Sequence, residues 1–180
     1  MKRVISKKYT AIFAVAVFSS WMLHELFHWL MGNRLGYDMV MTLNSSYPAG
    51  GQYRSDADFQ LISAAGPLFT LCEAILVFFL MKYRRMILLY PFLFTCFYMR
   101  FLAGLISILN PNDEARISTA LGLGEFTLPA VMATILFMLC YSISKKYALG
   151  IKFNLANLGL AILFSTMIIL SDMYGHIRIL

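Results

Sequence analysis

The chain has 180 residues, of which 60% are hydrophobic and only 13% charged, with a net charge of +6. A soluble domain is roughly 45–50% apolar, and an interior of this size cannot hide several apolar runs of about 20 residues, the length that crosses a bilayer. The composition therefore excludes a soluble globular protein. The basic residues sit in short segments beside the apolar runs, which points to anionic lipid as their neighbour and not to nucleic acid.

Taken in order, the first apolar run covers residues 9–31 and follows Lys2, Arg3, Lys7 and Lys8. It is too long for a cleaved signal peptide and carries ionisable groups, so it reads as a retained span. Residues 32–58 form the longest loop. Within it "YDMVMTLN" puts Met39, Met41 and Leu43 on one face of a short strand, and "SSYPAGGQYRSDAD" reads as turns. The second span covers 59–81 and contains Gly66-Pro67, where the missing N–H of proline predicts a kink. The third covers 86–109, the fourth 126–144 and the fifth 153–171. The expected architecture is an all-α integral membrane protein, one domain over residues 1–180, with a short β element in the first external loop. Cys72, Cys96 and Cys140 all lie inside spans with no zinc-site or disulfide spacing, and read as small core residues.

Five spans make the connecting segments alternate between two sides. One side collects Lys2, Arg3, Lys7, Lys8, Lys82, Arg84, Arg85, Lys145, Lys146 and Lys152 and no acid. The other collects Arg34, Arg54, Arg116 and Arg178 with every acid outside the spans. This asymmetry predicts a cytoplasmic N-terminus and puts the ends of the first and third spans near residues 31 and 109 on the outer face; the expected location is a cell membrane of prokaryotic type. Inside the spans, Glu73 and Arg100 are expected to neutralise each other, since each alone is costly in lipid.

The first span contains "HELFH". His24 and His28 are four residues apart and share one helix face. Two imidazoles so placed bind one zinc ion, and Glu25 beside them serves as general base toward water. Ionisable groups within a membrane mark interior functional sites. A catalytic zinc takes three protein ligands. His176, the remaining histidine, stands far away near the C-terminus. Asp113 and Glu114, in "ISILNPNDEARIS", leave the third span on the side where His24 and His28 lie, and are the better candidates, Asp113 ahead of Glu114.

"HELFH" in a first membrane helix, "AAGPL" in the next and "NPNDE" after a later one resemble the site-2-protease family of intramembrane zinc metallopeptidases. The resemblance implies that His24, His28 and Asp113 hold zinc, that Glu25 is the base, and that Gly66 and Pro67 shape the site. The chain departs from the family pattern at Thr70, where an asparagine is expected, at Glu114, which follows Asp113 where glycine is usual, and in "NPND", where Asn and Pro usually stand farther apart.

The expected function is that of a zinc metalloendopeptidase cleaving a membrane-embedded or membrane-proximal peptide bond, with a membrane protein or peptide as substrate. The strand containing Met41 is the expected site of edge pairing with that substrate. The alternatives are a zinc hydrolase of a lipid or small amide, and a non-catalytic membrane assembly protein. Nothing in the sequence specifies oligomeric state.

Overall fold

The computed structural model of the protein describes residues 5–175 and 177–180. Among the described residues, five helices are long and apolar enough to cross a membrane, which makes the chain a polytopic membrane protein. Helix α1 spans Lys7–Arg34. It starts where the Ser6 side chain accepts the Tyr9 N–H at 3.2 Å, a side-chain cap for an otherwise unpaired amide. Its buried positions run as one stripe through Tyr9, Phe13, Val17, Trp21, His24, His28 and Gly32. The two histidines therefore continue the core face of the helix and do not face lipid.

Helix α2 covers Asp56–Arg84, with Ser55 as cap, Asp56 and Asp58 in its first turn, and Lys82 and Arg84 in its last. These charges oppose the helix dipole at both ends. The helical pattern runs unbroken across Pro67, so the expected kink is not a break. A 3₁₀ turn at Ile87–Leu89 leads into helix α3, Tyr90–Ile106, the most enclosed of the spans. Helix α3 stops three residues short of the expected 109. Turns over 107–112 follow, and then a short helix α4, Asp113–Ala120, whose cap is Asn112. Helices α5, Thr127–Lys146, and α6, Ile151–Gly175, complete the bundle.

The basic ends lie together. The Tyr147 hydroxyl donates to the Met81 carbonyl at 2.7 Å, and Lys146 reaches the Lys82 carbonyl. Tyr9 and Tyr90 donate to Asn157 and Asn154, each at 2.7 Å. A core of Tyr9, Phe13, Tyr90, Leu93, Phe94 and Phe153 fills this half of the bundle, while side chains such as Phe18, Leu76 and Met138 point outward into what would be lipid.

Between α1 and α2 the strands β1 (Met39–Met41) and β2 (Ser46–Pro48) form an antiparallel hairpin, with Met41 opposite Ser46 and Met39 opposite Pro48. The hairpin lies back along α1. Trp29 Nε1 donates to the Met39 carbonyl at 3.1 Å, and Trp21 Nε1 to Asn44 Oδ1 at 2.6 Å. Those two tryptophans are about 12 Å apart along the helix axis at 1.5 Å per residue, so the hairpin turn descends beside the span. Asp172 of α6 accepts the Leu43 N–H at 2.9 Å.

Two expectations are corrected. Glu73 does not pair with Arg100: it accepts from the Ser20 hydroxyl at 2.7 Å, while Arg100 turns to α4. Depth along antiparallel helices cannot say which way each side chain points, and it is this that separates them. Cys96 and Cys140 are buried as expected, but Cys72 is exposed on the bundle surface.

Candidate metal centre

The buried stripe of α1 brings His24 and His28 to the bundle interior, one turn apart. Their Nε2 atoms are 3.1 Å from each other. The α3–α4 connection delivers Asp113, whose Oδ2 lies 3.5 Å from His24 Nε2 and 3.4 Å from His28 Nε2. These three residues are the group of metal-ligand side chains found among the described residues. A tetrahedral ion with ligand bonds of about 2.0–2.1 Å separates its ligand atoms by about 3.3–3.4 Å. The triangle has the size of one face of such a tetrahedron. His176, the other histidine considered, lies outside the described residues.

Hydrogen bonds at the far ring nitrogens fix which atoms face the centre. His28 Nδ1 lies 2.6 Å from the Ile62 carbonyl, which only accepts, so this nitrogen carries the proton. His24 Nδ1 lies 3.0 Å from Thr70 Oγ1, and that hydroxyl donates onward to the Gly66 carbonyl at 3.0 Å. Both rings are thereby set as Nδ1–H tautomers with Nε2 lone pairs turned toward each other and toward a carboxylate. Arg100 approaches two of these three acceptors from one side, its Nη2 3.4 Å from His24 Nε2 and its Nη1 3.8 Å from Asp113 Oδ2, and a cation among all three would relieve the repulsion that remains. Outer partners of this kind orient histidine ligands in metal sites generally.

The charge count agrees. Glu25, Asp113 and Glu114 bring three carboxylates into this region, and Arg100 is the one fully enclosed guanidinium among the described residues. With all three ionised, Arg100 and the more exposed Arg116, 3.8 Å from Asp113, leave the region net negative, a charge that suits a cation.

Gly66 is where α2 meets the centre. A Cβ at this position would lie 2.5 Å from His24 Cε1 and 2.7 Å from its Nδ1, and would also strike His28 Nε2. The backbone of α2 packs directly on the ligand rings, which only glycine allows. Pro67, one residue on, removes the N–H that would bond the Ser63 carbonyl.

Ser63 lines a cavity of about 560 Å³ that also presents Glu25, His28, Ser46, Asp113 and Arg116. Arg116 Nη1 stands 3.8 Å from Asp113 Oδ1 and its guanidinium lies over the Phe59 ring. Tyr53 forms part of the same wall, and burial pushes its hydroxyl pKa up. The Ser46 hydroxyl donates to the Glu25 backbone carbonyl at 2.9 Å, tying β2 to α1 at the centre.

The strand edges are not equivalent. Thr42 N–H bonds the Ser45 carbonyl and Ala49 N–H the Asp38 carbonyl. Alternation along an antiparallel ladder then turns the amide and carbonyl of Met41 outward on one edge, and those of Ser46 outward on the other. The Met41 groups are taken: its N–H bonds the Leu180 carbonyl at 3.0 Å, and its carbonyl accepts from Ile179 at 2.8 Å. The edge beside the cavity belongs to Ser46, not to Met41 as expected.

No family model, curated protein or solved structure matches this chain. The site is thus described by its own residues: a polytopic membrane protein with a His24–His28–Asp113 cluster able to coordinate a metal ion. Sequence reasoning anticipated the members of this cluster and left out Thr70 and Arg100 as its partners. A polar or charged residue within an apolar run was the available signal for both.

Proposed function

We propose that this protein is a zinc-dependent membrane endopeptidase that hydrolyses a peptide bond in or beside the membrane-spanning part of another protein. The observation that carries this reading is the triangle of His24 Nε2, His28 Nε2 and Asp113 Oδ2, with Glu25 beside it on a cavity wall. Two imidazoles and one carboxylate are a donor set that zinc accepts, and three protein ligands leave a position open for reactants. Zinc held by these residues supplies Lewis acidity toward a carbonyl and toward water.

The remaining steps belong to the chain. Glu25 takes the proton from water as it attacks the scissile carbonyl, and returns it to the leaving amine. Asp113, His24 and His28 stay fixed through their outer partners. A helical substrate hides its carbonyls within its own ladder, so the scissile segment has to be extended when it enters. The cavity-side edge of β2 at Ser46 offers one N–H and one carbonyl for it to pair with. This backbone edge favours a peptide over a lipid or small amide. The basic end of the bundle is placed in the cytoplasm by its charge, and the cavity toward the outer face.

The test is metal analysis together with peptide release from a transmembrane substrate, using wild type, Glu25→Gln and Asp113→Ala. Glu25→Gln should keep zinc and lose turnover; Asp113→Ala should lose zinc. Normal turnover in Glu25→Gln would reject the assigned base.

A further inference from the structure

Asp113 begins a helix of only eight residues that follows a run of turns. Its own contacts are with the two imidazoles and, at 3.8 Å, with Arg116 and Arg100. Arg116 is 37% exposed, so its ion pair with Asp113 is screened and holds α4 weakly. The neighbour of Asp113 holds it more firmly. Glu114 is buried and receives Arg100 Nη1 on both carboxylate oxygens, at 3.1 and 3.3 Å. Arg100 is fixed in the centre of α3, and its Nη2 comes within 3.4 Å of His24 Nε2. One side chain thus touches the element that carries the carboxylate and the ring that carries the imidazole.

We infer that the Arg100–Glu114 pair is a positioning device that holds Asp113 against the two imidazoles and so sets the metal affinity of the centre. The inference rests on the proposed metal site. Three observations support it. Arg100 is buried, is not among the residues that line the cavity, and spends its Nη1 on both Glu114 oxygens. It is an expensive residue to place within a membrane-spanning helix, where its buried neighbours Cys96 and Met99 are apolar. Removing a buried ion pair in favour of apolar residues is often neutral or stabilising, which separates the positioning role from a stabilising one.

The full chain in detergent, with and without Zn²⁺, gives the test. The double variant Arg100→Met/Glu114→Leu removes both charges together. Its apo form should unfold at or near the wild-type temperature, while its zinc dissociation constant, measured by competition with a chromophoric chelator, should rise about 10–100-fold, the usual effect of losing an outer-shell partner. Arg100→Lys should recover part of the affinity. Glu114→Gln, which keeps volume and one acceptor, covers the case in which the double variant does not fold, and should weaken zinc binding in the same direction. Unchanged zinc affinity in a folded variant overturns the inference. So does a loss of affinity that only matches an equal loss of apo stability. Wild type that binds no zinc, by contrast, rejects the metal reading itself and the positioning role with it.

Discussion

At Gly66 a methyl group would press on the Cε1 and Nδ1 atoms of His24 and on His28 Nε2. Overpacking of this kind costs about 1–3 kcal/mol, and here it would fall on the ligand rings. Gly66→Ala should therefore lower zinc occupancy more than it lowers the apo unfolding temperature, measured by metal analysis beside thermal unfolding in detergent. Arg100→Met alone leaves the Glu114 carboxylate buried without its partner, at a cost of about 3–5 kcal/mol. It should unfold well below wild type and below the Arg100→Met/Glu114→Leu double variant. At this scale the chemistry was legible wherever an ionisable side chain interrupts an apolar run, as His24, Glu25 and His28 do. Partner choice was not. Glu73 and Arg100 share a broad depth on adjacent helices, yet one faces Ser20 and the other faces Glu114. Rotation about each helix axis decides such pairings, and no spacing in the sequence reports the rotation of one helix against another.

The five spanning helices were readable from apolar run length, and their charged ends from the helix dipole and the asymmetry of Lys and Arg. The hairpin was half readable: the alternation of Met39 and Met41 marked a strand, but nothing marked Ser46–Pro48 as its partner or showed which edge would remain free. Helix α4 was hidden because eight residues with one polar face leave no apolar run. The hairpin carries its own prediction. Ser46→Ala removes the hydroxyl bond to Glu25 and keeps the backbone N–H on the cavity edge; Ser46→Pro removes both. Peptide release should survive largely in the first and be lost in the second, with zinc content equal to wild type in each. Equal turnover in the two variants would remove β2 from substrate binding.

For the molecule as a whole, the metal centre joins α1 to α4 through α2 and α3, so the ion should act as a cross-link of the folded bundle. A ligand that binds only the native state adds about 2.7 kcal/mol when present at 100 times its dissociation constant. Chelation should therefore lower the unfolding temperature of wild type, and leave Asp113→Ala unchanged. Topology reporters fused within the 145–152 connection and within residues 50–55 should report opposite sides, the basic connection on the cytoplasmic one. The three ligands also differ in how lipid reaches them. His24 and His28 ride on a helix that crosses the bilayer, whereas Asp113 rides on a segment outside the spans. A helix whose apolar length exceeds the hydrocarbon thickness tilts to fit, and tilting α1 moves the imidazoles relative to the carboxylate. Acyl-chain length is then a variable acting on ion affinity: vesicles of short- and long-chain lipids should give different zinc dissociation constants for the same unmodified chain.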